Sequence, residues 1–123
     1  KLVKMAGSRL GIWVAHGEGR LYCPDEAILE QIREKSLIPM SYVGPDGLVT
    51  MDYPWNPNGS VDGGGGLCSP DGRHTGIMPH PERVFQKRQW PWMPDDWRRD
   101  LEASPWLQMF RNAFDWCILN KIA

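Results

Sequence analysis

Glycine and proline break this chain at short intervals, and so limit how far any regular element can run. Glycine lacks the Cβ that holds a backbone in one region, and proline lacks the amide hydrogen that interior helix and sheet positions use. With 13 Gly and 11 Pro in 123 residues, breaks fall at His16-Gly17-Glu18-Gly19, at Gly44-Pro45-Asp46-Gly47, from Asn56 to Gly66, at Pro70-Asp71-Gly72, and through the prolines between 79 and 94. Two segments escape them and read as helices. In Pro24 to Ser36, proline stands at the entry, Asp25 and Glu26 suit the positive end of a helix dipole, and Lys35 suits the negative end. Ala27, Ile28 and Ile32, with Leu29 beside them, predict the apolar face of a helix of three turns. In the second segment Ser104 suits a cap and Pro105 the first helical position, with Trp106, Phe110, Phe114 and Cys117 on a common face.

The intervals between the breaks are short and strand-like. Residues 11–23 predict two short strands about a glycine turn, and residues 37–43 and 48–53 a hairpin closed by Gly44 to Gly47. Residues 67–78 predict strand, turn and strand about Pro70-Asp71-Gly72, and Asn56 to Gly66 a loop without hydrophobic pattern. From Gln86 to Asp100 the prolines exclude long elements, while Trp90, Trp92 and Trp97 can pin the loop by burial. Helices and strands interleave, which favours an α/β arrangement with some antiparallel pairing.

Charge excludes some partners. Lys and Arg number 14, Asp and Glu 15, and the net charge of −1 gives no electrostatic case for nucleic acid or anionic lipid. No apolar run approaches the ~20 residues that span a bilayer. Cys23, Cys68 and Cys117 are odd in number, far apart and outside any zinc spacing, which argues against a metal site or a disulfide framework and for a reducing, cytoplasmic setting.

Three constellations could carry chemistry. In Pro79-His80-Pro81-Glu82 an extended backbone would put His80 and Glu82 on one face, where a carboxylate bonded to one ring nitrogen sets the tautomer and leaves the other nitrogen to take a proton. The same spacing also suits a solvated surface turn. In His16-Gly17-Glu18-Gly19-Arg20 the glycines require a tight turn or a close approach, and bare N–H groups there can hold a carboxylate; His16 also reads as a satisfied core histidine, and Glu18 as a partner for Arg20. Asn56-Pro57-Asn58-Gly59-Ser60 is turn chemistry. The run Gly63 to Gly66 lacks the Lys-Ser/Thr ending of a phosphate loop, and Cys68, followed by Pro70 rather than a helix, does not form a nucleophile elbow.

Read together, "VAHGEGR", "YPWNPNGS", "SPDGRHTGIMPHPERVF" and "SPWLQMFRNAFDW" resemble the later half of the class I, triad-type glutamine amidotransferase domain of the phosphoribosylformylglycinamidine synthase family, from about Leu10 to about Trp116. The resemblance implies a flavodoxin-like α/β fold with a mixed sheet and a terminal helix, residues 1–123 being the carboxyl-terminal portion of the domain. It implies hydrolysis of glutamine through a cysteine thioester, with His80 as general base and acid and Glu82 as its orienting partner. Gly17 and His16 would lie beside the amino-acid end of glutamine. It further implies that the ammonia serves ATP- and Mg2+-dependent synthesis on a separate synthetase domain, with no cofactor or metal in this chain. The family's glycine-flanked nucleophile precedes the HGEG motif, and this sequence holds no Gly-x-Cys-x-Gly. Two expectations follow: a part of an amidotransferase completed by a nucleophile-bearing half, or a non-catalytic amidotransferase-derived structural or interaction subunit.

Overall fold

The computed structural model describes residues 2–90 and 93–120. They fall into two units, one of Ala15–Pro79 and one of Lys1–Val14 with His80–Ala123.

In the unit of Ala15–Pro79 the first helix, α1, runs from Glu26 to Glu34. It starts where the sequence predicts because Asp25 Oδ1 accepts from the amides of Ala27 (2.9 Å) and Ile28 (3.3 Å), two donors that the first turn leaves without a helical partner. The buried face differs from the predicted one. Leu29 is 3% exposed and Ile32 half-buried, while Ala27 and Ile28 point outward. Arg33 gives the reason. Its guanidinium bonds both carboxylate oxygens of Asp62, at 2.8 and 3.1 Å, and also Glu26 and Glu30. Leu29 lies one turn before Arg33, so the contact with Asp62 turns Leu29 inward.

The Arg33 bond holds the Asp62 carboxyl below the usual carboxylate range, against some desolvation. A folded-state value below the unfolded one makes the pair stabilising at neutral pH, and this contribution is lost as pH falls through the depressed value. Asp62→Asn is therefore expected to lower the thermal midpoint of the intact protein at pH 7, with the gap to wild type closing as pH falls through the depressed Asp62 value. A gap that stays constant from pH 7 through that value contradicts the assignment.

Strands β1 (Gly66–Cys68) and β2 (Thr75–Ile77) pair antiparallel with Gly66 opposite Ile77, Leu67 opposite Gly76 and Cys68 opposite Thr75. The predicted turn between them forms, with Ser69 Oγ accepting from the His74 amide and Asp71 Oδ1 from that of Arg73. Gly66 sits opposite a close backbone: a Cβ there would lie 2.3 Å from the carbonyl oxygen of Gly76. The glycine run is buried from Gly63 to Gly66, so it is a packed segment rather than an unpatterned loop.

Other predicted strands do not form. Residues 11–23 make no ladder; in this unit the Leu21 amide donates to Ser60 Oγ at 3.0 Å and the Leu21 carbonyl accepts from Val61. The turn at Gly44–Gly47 closes as predicted, but its flanks form no ladder: they meet in the isolated bridge of Val43 with Val49 and in the bonds from Gly44 N to Leu48 O and from Thr50 N to Tyr42 O, while Ser41 bridges Gly64. Residues 37–42 instead bond the glycine run and β1, through Tyr42 N to Gly63 O, Gly65 N to Met40 O and Cys68 N to Leu37 O. Asn56 and Ser60, both buried, staple this region: Asn56 Nδ2 donates to Thr50 O and Ser60 O, and its Oδ1 accepts from the Ser60 amide at 2.9 Å.

In the other unit, Val84, Trp106, Met93 and Met5 form the buried apolar set. Tryptophan N–H groups tie its segments: Trp13 to Gln89 O, Trp90 to Val84 O and Ser104 Oγ, and Trp106 to Gly11 O. The loop of Gln86 to Asp100 is thus pinned by Trp90, whose ring lies 6.3 Å from that of Trp97; Trp92 lies outside the described residues. The loop carries a 3-10 turn over Lys87–Gln89 and a short helix, α2 (Asp95–Asp100), whose last carbonyls receive the Lys87 ammonium through Arg98 O and Leu101 O. Helix α3 runs from Leu107 to Leu119. Ser104 Oγ accepts from the Trp106 amide at 3.2 Å, so the predicted cap forms one turn ahead of the helix. Trp106 is buried, but Phe110, Phe114 and Cys117 are exposed, Phe114 to 65%. The half-buried side of α3 is instead Gln108, Met109, Asn112 and Ala113, where Asn112 Nδ2 donates to Val3 O.

The architecture is mixed α/β, with one antiparallel strand pair among the described residues. Among those residues no helix is long and apolar enough to cross a membrane.

Candidate functional site

The predicted site residues fall in both units, His80 and Glu82 in one and His16 and Gly17 in the other. Each group is described within its own unit.

His80 is held by backbone on both sides. Its amide donates to Trp13 O at 3.0 Å, and its carbonyl accepts from the Arg83 amide at 3.0 Å. The second bond belongs to a single 3-10 turn over Pro81–Arg83, which Pro81 starts because its ring fixes φ near the helical value and it has no amide hydrogen to leave unpaired. The two side chains therefore meet through a turn and not, as spacing suggested, across an extended strand. They do meet: His80 Nδ1 lies 2.6 Å from Glu82 Oε1. A carboxylate only accepts, so Nδ1 carries the hydrogen, and a neutral ring then presents a lone pair on Nε2. Among the described residues Nε2 has no hydrogen-bond partner. The His80 side chain is 27% exposed and that of Glu82 55%, so solvent reaches both. Partial desolvation works against the Glu82 charge; the bond from His80, a backbone N–H and the nearby His80 and Arg83 charges outweigh it, and the carboxyl titrates below its ordinary value. The pair can accept a proton from a donor, hold it as an ion pair, and return it to a leaving group.

The two glycines of His16-Gly17-Glu18-Gly19 serve different needs. Gly17 adopts φ +57°, which side-chain-bearing residues rarely take. Gly19 leaves room: a Cβ there would stand 3.0 Å from His16 O and 3.3 Å from His16 Nδ1. A turn closes between them, with the Gly19 amide donating to His16 O at 2.9 Å. Asn58 grips this turn, placing Nδ2 2.5 Å from Gly17 O, 2.9 Å from Gly19 O and 3.2 Å from His16 Nδ1. On the far side of the ring, His16 Nε2 lies 3.2 Å from the Tyr42 hydroxyl, whose phenol burial pushes up. His16 is thus half-buried and bonded on both nitrogens, and Arg20 lies over the Tyr22 ring at 5.5 Å.

Asn58 and Tyr42 escape the sequence reading. The signal for Asn58 was present in Asn56-Pro57-Asn58-Gly59-Ser60, where the two asparagines look alike as turn residues but do different work: Asn56 staples its own loop and Asn58 reaches the HGEG turn. Cys68 lies within β1, with its amide bonded to Leu37 O, as its strand context implies. Among the described residues no three His, Cys, Asp or Glu side chains stand together to hold a metal ion.

Residues 2–117 match the CobB/CobQ-like glutamine amidotransferase domain family. Curated proteins named phosphoribosylformylglycinamidine synthase are similar to most of this chain. The protein of Arabidopsis thaliana, named "Probable phosphoribosylformylglycinamidine synthase, chloroplastic/mitochondrial", is 54% identical over 115 residues, covering 91% of this chain and 8% of that protein. The proteins of Dictyostelium discoideum and Homo sapiens are 46% and 45% identical, over 92% and 93% of this chain. The chain spans 8 to 9% of the length of these relatives.

Proposed function

The chain belongs to the CobB/CobQ-like glutamine amidotransferase domain family, and from that premise we propose that it is the carboxyl-terminal portion of the amidotransferase domain of a phosphoribosylformylglycinamidine synthase. In this reading a cysteine thiolate supplied by the nucleophile-bearing half attacks the side-chain carboxamide carbon of glutamine. His80 accepts the thiol proton on Nε2 and passes it to the departing nitrogen, so that ammonia leaves and a thioester remains. Water then hydrolyses the thioester, with the same nitrogen as base, to give glutamate. Glu82 keeps the ring in the tautomer that this sequence of transfers needs. His16 and Gly17 border the amino-acid end of glutamine. The ammonia goes to a synthetase domain, which uses ATP and magnesium to convert formylglycinamide ribonucleotide to the amidine; this chain provides the site of neither. The flavodoxin-like sheet of the complete domain belongs to the same proposal. So does the setting: an aqueous, reducing compartment, of which the cytoplasm is one and the organelles in the Arabidopsis relative's name are others.

The observation that carries the reading is the 2.6 Å contact of His80 Nδ1 with Glu82 Oε1, with Nε2 left for chemistry. A non-catalytic subunit has no chemical use for that pair. The direct test exposes the intact protein to an electrophilic glutamine analogue, a diazo or chloro ketone, and locates the adduct by mass spectrometry. One adduct on a cysteine outside these 123 residues is expected. An adduct on Cys68, or none on a folded protein, overturns the reading.

A further inference from the structure

We propose that Asn58 is a positioning residue for glutamine, its carboxamide shaping the His16–Gly19 turn and fixing the His16 tautomer so that the Gly17 backbone is presented to the substrate. This deepens the amidotransferase reading and rests on it.

The bonding around Asn58 leaves little choice. Two carbonyl oxygens, Gly17 O at 2.5 Å and Gly19 O at 2.9 Å, face the end of the side chain. Carbonyls only accept, so the amide nitrogen and not the amide oxygen must point at them. The same nitrogen stands 3.2 Å from His16 Nδ1. The amide NH2 has no lone pair to offer and two hydrogens for these three acceptors, so Nδ1 takes a shared hydrogen as the longest of the three contacts and its own hydrogen sits on Nε2. Nε2 then donates to the Tyr42 hydroxyl oxygen at 3.2 Å. One carboxamide, 41 residues along the chain from Gly17, thereby sets the spacing of two turn carbonyls and the direction of one imidazole.

The turn itself depends on this grip. Gly17 at φ +57° is free to take several backbone conformations, and its own turn supplies one hydrogen bond, from the Gly19 amide to His16 O. Asn58 engages the carbonyls of both glycines and so selects one of those conformations. Gly59, at φ +68° and with open space around its missing Cβ, turns the chain immediately after Asn58. Holding a substrate-binding turn in its bound shape before substrate arrives lowers the ordering cost of binding, and this acts on KM more than on the chemical step.

The test uses the intact protein and measures two rates: glutamine hydrolysis, and synthesis supported by dissolved ammonium salt, which bypasses the glutamine site. Asn58→Asp keeps the size of the side chain but sets an acceptor against two carbonyls, and Asn58→Ala removes the grip. For both variants KM for glutamine is expected to rise about tenfold or more, with kcat within about threefold of wild type and the ammonium-supported rate unchanged. Tyr42→Phe removes one oxygen from the same chain of bonds; it is expected to raise KM about threefold, and it carries the test should the Asn58 variants not fold. An unchanged KM in Asn58→Asp and Tyr42→Phe overturns the proposal, as does a fall in kcat at constant KM. Failure of the underlying reading shows earlier and differently: wild-type protein that hydrolyses no glutamine removes the amidotransferase role, and the positioning role with it.

Discussion

Replacing His80 by alanine is expected to cut glutamine hydrolysis by the intact protein about 10⁴-fold or more, while synthesis supported by dissolved ammonium stays near the wild-type rate. The size follows from what one ring does. General acid–base catalysis contributes roughly 10²- to 10⁴-fold per positioned group, and here the same nitrogen would serve as base in thioester formation, as acid toward the leaving ammonia, and as base again in hydrolysis. Glu82→Gln is expected to approach the same loss, on the order of 10³- to 10⁴-fold. Glu82 Oε1 lies 2.6 Å from His80 Nδ1. An amide in that place can turn its NH2 toward Nδ1, which moves the ring hydrogen to Nε2 and removes the base. Because the Glu82 carboxyl titrates below its ordinary value, it is charged at neutral pH, and activity there should show no limb from its protonation. Single-turnover formation of the thioester is the measurement that decides. Either variant forming it at more than about a tenth of the wild-type rate means that the pair does not carry the proton.

The second large effect concerns one residue of the strand pair. Gly66→Ala is expected to destabilise the β1–β2 region by about 2–4 kcal/mol, and Gly76→Ala, on the facing strand, by no more than about 0.5 kcal/mol. The contrast comes from space. A Cβ on Gly66 would lie 2.3 Å from Gly76 O, 2.8 Å from Ile77 Cγ2 and 2.9 Å from Ile77 Cα, whereas nothing stands within 4 Å of one on Gly76. Two of the three atoms near Gly66 are backbone, so relief requires the strands to part, and that stretches the pairing of Gly66 with Ile77 and the bond from Met78 N to Gly65 O. Gly76 is exposed and its replacement also reduces the freedom of the unfolded chain, an effect that favours folding. Amide hydrogen exchange in the intact protein reads both variants locally. Gly66→Ala should lose protection at the amides of Gly65, Cys68 and Met78, and Gly76→Ala should retain it. Equal losses, or none, would show that this close approach does not constrain the pair.

Much of this was legible locally. Asp25 caps α1 and Ser104 precedes α3 because a short polar side chain satisfies a free amide two or three residues on, whatever the rest of the fold does. The turns at Gly44–Gly47 and Ser69–His74 are set by residues within reach of their own backbone. The spacing of His80 and Glu82 allowed their contact beside a solvated turn; the contact forms, through a proline-started 3-10 turn and not a pleated strand. The order of the motifs was enough to identify the family.

What the sequence determined by itself, then, is whatever acts over a few residues: helix starts, tight turns, and a string of motifs specific enough to name a family. Only the tertiary structure decided which side of each helix is covered, and which extended segments find a partner. Leu29 and not Ile28 turns inward because Arg33 reaches Asp62; Phe110 and Phe114 stay exposed while Asn112 bonds Val3; residues 37–42 spend their hydrogen bonds on the glycine run. Asn56 and Asn58, two residues apart, go to a buried staple and to the HGEG turn for the same reason. A side chain's role depends on which distant backbone atoms lie within about 3 Å of it, and periodicity and propensity do not encode that distance.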